Sequence, residues 1–360
     1  MILYLLLIIL EKGRCMMTTI ITALILFGII VLAHELGHFL VAGWVGIPAE
    51  EFSIGMGPKI SQIKGKKTIF SLRALPIGGY VKFFGDDGES DDPRAFANAK
   101  VWKRILVITA GPVMNFLLAI LLLAMFFTFF GVYKNSTNIF EIVEGSPAEN
   151  AGLLVGDKII TVNDIKVDIE DQDKGIELFR KILKEEGDKS LKITVLRDGE
   201  ARDIDIKPDY SAEKNTYEIG IYFGELERLG PFSAIGLAIV QTGRLIIIMI
   251  QLLGSLIFQG RGLNEVVGPI GIIGEIGKAV ESGIKDVLNL AVVITLNLGI
   301  MNLIPFPALD GGRLTLLLVE GLRGNPIDPE KEEYIHFTGF IILMLLMIVV
   351  TFKDVARQWF

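Results

Sequence analysis

Apolar residues gather along this chain in long unbroken runs, and four of them are long enough to cross a bilayer, for which about 20 helical residues suffice. The predicted spans are 17–42, 105–132, 285–318 and 335–354. A fifth apolar segment, FSAIGLAIVQTGRLIIIMIQLLGSLIF, carries Gln241, Arg244 and Gln251 at near-helical spacing. That pattern predicts a helix lying along the membrane interface, within an amphipathic region at 229–284. Residues 1–16 hold about ten apolar positions before a charged break, too few to span. The positive residues there follow the apolar run, whereas in a signal peptide they precede it. An interfacial segment, or an upstream extension with the start at Met16 or Met17, fits this pattern.

Between the second and third spans, at 133–228, the pattern changes. IFEIV, KIITVN, LKITVL, RDIDIKP and YEIGIYF are β-branched runs with partial alternation, and DQDKGIELFRKIL reads as a polar helix among them. The expected fold class is therefore an α-helical polytopic membrane protein of about four transmembrane helices, with a β-hairpin region and an inserted α+β domain. LNEVVGPIGIIGEI, with its Gly-Pro pair, reads as a bent loop.

Charge orients this arrangement. The loop at 43–104 carries Lys59, Lys64, Lys66, Lys67, Arg73, Lys82, Arg94, Lys100, Lys103 and Arg104, which makes it cytoplasmic by the positive-inside rule. The inserted domain then lies outside the cytoplasm, the 319–334 loop inside, and both termini outside. Trp44, Trp102 and Trp359 stand at span ends, as an aromatic belt requires. A net charge of −7 argues against a nucleic-acid partner and leaves lipid and membrane-embedded substrates as the expected ones. The single Cys15 excludes an internal disulfide.

Three titratable groups interrupt the first span in VLAHELGHFL. On a helix, His34 and His38 lie one turn apart on one face with Glu35 beside them. HExxH in this form supplies two nitrogen ligands for zinc and a carboxylate able to take a proton from the attacking water. Charged groups inside a membrane are expensive, and a metal is a compensating partner. A catalytic zinc takes three protein ligands. The remaining histidine, His336, stands next to a charged loop where a surface or capping role fits, so a carboxylate is the expected third ligand. NLGIMNLIPFPALDGGRL places Asn302, Pro305, Pro307 and Asp310 at the end of the third span, where two prolines break the helix. Alone, LDGG reads as a turn; paired with HExxH, it offers Asp310.

Taken together, HELGH, the GPVMNF string at 111–116, NLIPFPALDGG and a middle segment GSPAENAGLLVGDKIITVND that resembles the signature of bacterial-protease PDZ domains resemble the bacterial site-2 proteases. These are zinc intramembrane proteases that include the sigma-factor-regulating enzyme. The resemblance runs from Met17 to the fourth span, with a single PDZ-like domain. It implies that His34, His38 and Asp310 bind Zn2+, that Glu35 is general base and then acid, and that Asn302 holds substrate backbone. It also implies that the 52–85 segment is a membrane-associated β-hairpin with Gly55 and Gly57 on the substrate side, in a multi-pass protein of the bacterial inner membrane. The implied substrates are single-span membrane proteins, such as anti-sigma factors and remnant signal peptides, and the PDZ-like domain is expected to bind peptide by strand addition. Two other classes fit parts of the pattern: an intramembrane zinc transporter, which leaves Glu35 without a task, and a non-catalytic PDZ scaffold, which leaves the complete ligand-plus-base set without one.

Overall fold

A helix satisfies its own backbone hydrogen bonds in hydrocarbon, and the long apolar runs fold accordingly. The structure, a computed structural model, describes residues 2–86, 90–212, 215–262 and 266–359. It divides into two units, one of Met1–Phe126 with Pro231–Phe360 and one of Phe127–Gly230.

In the first unit, α1 (Ile2–Val45) begins well before the expected span, and its portion long and apolar enough to cross a membrane is Met16–Val45. After α1 the chain forms β1 (Ala49–Lys64) and β2 (Ile69–Phe83), then α2 (Val101–Phe130), which carries Pro112 in its interior. The two strands are not a flat hairpin. Residues 49–54 of β1 are paired on one side with 79–83 of β2 and on the other with 69–72, while 59–64 pair with 69–73. The sheet thus has four segments, with 59–64 and 79–83 outermost. Positive φ at Gly55 (84°), Gly57 (83°) and Gly78 (84°) lets the strands curl back in this way. Burial would lift the carboxyl of Glu51, but donors from Ser71, Arg73 and Tyr80 bring it down to about 2, so this ion-paired cluster ties β1 to β2.

The second unit contains β3 (Val132–Ile142), α3 (Pro147–Asn150), β4 (Lys158–Val162), β5 (Ile165–Lys166), α4 (Gln172–Glu186), β6 (Leu191–Arg197), β7 (Glu200–Ile206), β8 (Asp209–Ser211), β9 (Thr216–Glu218) and β10 (Ile221–Glu227). One antiparallel sheet runs in the order β10-β3-β4-β6-β7, with β5 on β4 and a separate β8-β9 hairpin. Asp171 caps α4 by accepting the Lys174 N–H, and Ser146 caps α3. Ile139, Leu153, Ile159, Phe179, Leu191 and Ile193 form the core between sheet and helix. The outer edge of β10 and α4 flank a cleft of about 1080 Å³ lined in part by Ile176, Arg180, Tyr222 and Phe223.

The chain then returns to the first unit as α5 (Pro231–Gln259), α6 (Pro269–Ser282), α7 (Ile284–Leu303), α8 (Asp310–Arg323) and α9 (Pro329–Trp359). Among the described residues, five helices are long and apolar enough to cross a membrane, one more than the sequence pattern predicts; the addition is α5, where 29 residues outweigh the scattered polar positions. The expected bent loop in LNEVVGPIGIIGEI needs correction: from Pro269 onward the segment is helical, while residues 263–265 lie outside those described. Gly268 and Pro269 are not a loop signal here but an N-cap and first helical residue, a position where proline's missing N–H costs nothing. Asp354 of α9, buried, accepts the Gly268 and Gly271 N–H groups at 3.1 and 2.8 Å and completes that cap from another helix. Trp44 and Trp102 are exposed, as a belt residue would be; the Trp359 side chain lies outside those described.

Direction along α1 orders the remaining helices. Gly277 of α6 faces Thr19, Ala291 of α7 packs with Leu26 and Ile30, and the residue that opens α8, Asp310, reaches His34 and His38. Therefore α7 runs alongside α1 in the same direction.

Candidate metal centre

The helical spacing of His34 and His38 brings their Nε2 atoms to 3.2 Å, with the rings edge to face at 84°. Both residues are buried. Asp310 closes the triangle: its Oδ2 lies 3.0 Å from His34 Nε2 and 3.4 Å from His38 Nε2. A tetrahedral zinc with bonds of about 2.0–2.1 Å sets its donor atoms roughly 3.3 Å apart, so the three atoms have the spacing of ligands to one ion.

The other ring nitrogens are engaged elsewhere. His38 Nδ1 is 2.8 Å from the Val107 carbonyl of α2 and therefore carries the proton, which leaves the Nε2 lone pair facing Asp310. His34 Nδ1 lies 3.2 Å from the Asn115 amide of α2. With the nitrogen of that amide toward His34, Asn115 Oδ1 has no partner although the residue is wholly buried. Turning the amide by half a rotation lets Oδ1 accept the His34 Nδ1–H. Both imidazoles then present lone pairs to one point beside a carboxylate. Three electron-rich atoms at such distances repel unless a cation lies between them, and this chemistry fits zinc.

Glycines allow the elements to close around the triangle. A Cβ at Gly111 of α2 would fall 2.3 Å from His38 Nε2 and 2.8 Å from His34 Cε1; one at Gly37 would fall 2.3 Å from the Ala110 carbonyl. Gly311 and Gly312 would collide in the same way with the backbone of Leu303, Ile304 and Phe306. The two prolines end α7 at Leu303, and the chain turns through 304–309 before α8 starts on Asp310 itself. α8 is tied to α2 by the buried Arg104–Glu320 pair and to the loop after β2 by Arg313–Asp86 at 2.7 Å.

Glu35 is half-buried on the neighbouring face of α1, and the Val81 backbone amide donates toward its carboxylate. A cavity of about 90 Å³ adjoins it, lined by Val31, Ser53, Leu72, Gly78 and Gly79 among others. A side chain at Gly79 would meet the Ser53 carbonyl at 2.8 Å and Glu35 Cγ at 3.2 Å. The outer segment 79–83 thus runs directly past Glu35. Gly55 and Gly57 lie in β1, with Gly55 against the Leu75 carbonyl, and Asn302 stands half-buried in the last turn of α7. These three are not among the converging ligand atoms. His336 lies in α9, where its Nδ1 accepts the Ala308 N–H at 2.9 Å. Sequence reading assigned no role to Gly37, Gly79, Gly111 or Asn115; the GPVMNF string was the signal that contained two of them.

The model of peptidase family M50 matches residues 22–346. A candidate zinc metalloprotease of Clostridium acetobutylicum is 37% identical over 339 residues, covering 94% of this chain and 97% of its own. The regulator of sigma-W protease RasP of Bacillus subtilis is 30% identical over 422 residues, covering 94% and 98%. Among solved structures, the PDZ domain of the SdrC-like protein of Listeria monocytogenes matches 26% of this chain and 90% of its own, at 19% identity and a TM-score of 0.21. With the family model spanning most of its length and relatives matched nearly end to end, this multi-pass chain belongs to peptidase family M50 and is a zinc metalloprotease.

Proposed function

We propose that this protein is an intramembrane endopeptidase that cleaves single-span membrane proteins within or near their transmembrane helix, with His34, His38 and Asp310 as its zinc ligands. The observation that carries the reading is the meeting of those three donor atoms within 3.0–3.4 Å, beside Glu35. Zinc, when bound, supplies a Lewis acid for the scissile carbonyl and the attacking water. Glu35 takes the proton of that water and returns it to the leaving amine. A helical substrate shields its own carbonyls and must be extended before attack. The outer segment 79–83 beside Glu35 is suited to receive an extended strand, with Gly55 and Gly57 on the substrate side of the hairpin and Asn302 holding substrate backbone.

The PDZ-like unit binds an extended peptide in the cleft between α4 and the outer edge of β10. Positive charge in 43–104 sets that loop in the cytoplasm and the PDZ-like unit outside. In this threading α5 lies along the membrane. α7 runs in the same direction as α1, so α2 alone supplies the return between them. A crossing by α5 would oblige residues 260–283 to cross back, and α6, at about 21 Å, is too short for a hydrocarbon layer of about 30 Å. The Bacillus subtilis relative is named for regulating sigma-W, which favours anti-sigma factors, with remnant signal peptides as a second substrate class.

Glu35→Gln tests the mechanism. Reconstituted with a single-span model substrate, this variant is expected to retain zinc and to lose cleavage by about 10²–10⁴-fold, the usual share of a general base. Cleavage at the normal rate would remove Glu35 from the mechanism.

A further inference from the structure

Between α7 and α8 the chain makes a six-residue turn, 304–309, whose shape decides where Asp310 points. Pro305 and Pro307 have no N–H. Within the turn, Phe306 donates to the Ile304 carbonyl at 2.7 Å and Leu309 to the Phe306 carbonyl at 3.2 Å. The Ala308 N–H goes instead to a side chain of another helix, Nδ1 of His336 in α9, at 2.9 Å. Ala308 is also held at φ 76°, in the left-handed region that a residue with a Cβ avoids.

A conformation of this kind persists only where its surroundings fix it. Here the fixing surface is one face of α9. His336 and Gly339 are three residues apart and therefore adjacent on the helix. A Cβ at Gly339 would lie 2.4 Å from the Pro307 Cβ and 2.5 Å from its carbonyl oxygen, so glycine brings α9 close enough for His336 to reach the turn. Two residues beyond Ala308, Asp310 Oδ2 stands 3.0 Å from His34 Nε2. Because Nδ1 of His336 accepts that amide, the neutral ring carries its proton on Nε2 and has no lone pair left for a metal, and His336 is not among the converging ligand atoms, so it acts on the centre through the backbone.

We propose that His336 is a positioning residue of the metal centre: by accepting the Ala308 N–H it holds the left-handed turn that delivers Asp310 to His34 and His38. The inference rests on the reading of Asp310 as a metal ligand, and α9 becomes under it part of the centre's scaffold as well as a membrane helix.

The test uses the full-length protein in detergent, with zinc affinity read by chelator competition and amide exchange of residues 304–312 read in the metal-free protein. H336A is expected to weaken zinc binding by about 10–100-fold, the usual cost of losing an outer partner of a ligand, and to speed exchange at Ala308. H336N, whose side-chain oxygen can stand where Nδ1 stands, should recover most of both losses. H336Q keeps size and polarity but moves the acceptor, and should behave as H336A; the Asn–Gln pair carries the test if H336A does not fold. Adding A308G to H336A should recover part of the affinity, since glycine adopts the left-handed turn without strain. Wild-type affinity in H336A, or equal losses in H336N and H336Q, would overturn the proposal. D310A separates the two ideas: its loss of zinc together with a normal H336A removes His336 alone, whereas unchanged zinc in D310A removes the ligand assignment and this inference with it.

Discussion

A methyl group at position 111 would stand 2.3 Å from His38 Nε2, which shows how little slack this centre has at the scale of single residues. HExxH fixes the identities and helical spacing of two imidazoles, but their orientation comes from α2, through the Val107 carbonyl and the Asn115 amide. Asn115→Ala is expected to lower zinc affinity about 10–100-fold by leaving His34 free to rotate and change tautomer, as measured by chelator competition. Unchanged affinity would mean that packing alone orients His34. His34, Glu35, His38 and Asp310 could be singled out from the sequence because titratable groups are rare in apolar runs. Asn115 and Gly111 could not be given tasks that way, because the worth of an amide or an absent Cβ depends on what faces it.

At the scale of elements, prolines and glycines acted at boundaries. Pro305 and Pro307 end α7 as their chemistry requires, whereas Gly268-Pro269 starts α6 where a loop had been expected; the same dipeptide serves either purpose, and the cap supplied by Asp354 decided between them. The strands of the second unit follow the β-branched runs closely, and within that unit Asp157 is a buried anchor. Burial would raise its carboxyl, but Arg197 at 2.6 Å and the Leu154 N–H hold it below the ordinary aspartate value. A carboxyl lowered in the folded state contributes stability above its unfolded pKa, near pH 4, and loses that contribution as pH falls through the folded value. Protection of the β4 and β6 amides against exchange, taken relative to the intrinsic rate at each pH, should therefore fall below about pH 4 in the full-length protein. Arg197→Ala should cost about 3 kcal/mol at neutral pH by leaving Asp157 buried and unpaired. Protection that stays constant down to about pH 2 would show that the pair is not an anchor.

For the whole molecule, the directions of the helices bear on how many of them cross. Length and composition admit five, while the shared direction of α1 and α7 argues that α5 does not. After Cys15 is replaced, single cysteines at Phe232 and Phe258, the two ends of α5 and both highly exposed, should react with an impermeant thiol reagent from the same side of the membrane. Labelling from opposite sides would make α5 a span and require a return through 260–283.

The sequence by itself determined the membrane class, the strand-rich insertion and the inventory of chemistry in HELGH and LDGG, because each depends on hydropathy, periodicity or residue type within a short window. Only the tertiary structure decided that Asp310 meets two histidines some 270 residues earlier in the chain, that the hairpin curls so that 79–83 passes Glu35, and that His336 grips the turn before Asp310. The physical reason is that these are distances between segments remote in sequence, set by how closely helices approach. That approach is governed by where glycines remove a Cβ and where buried polar atoms find partners, neither of which a linear pattern records.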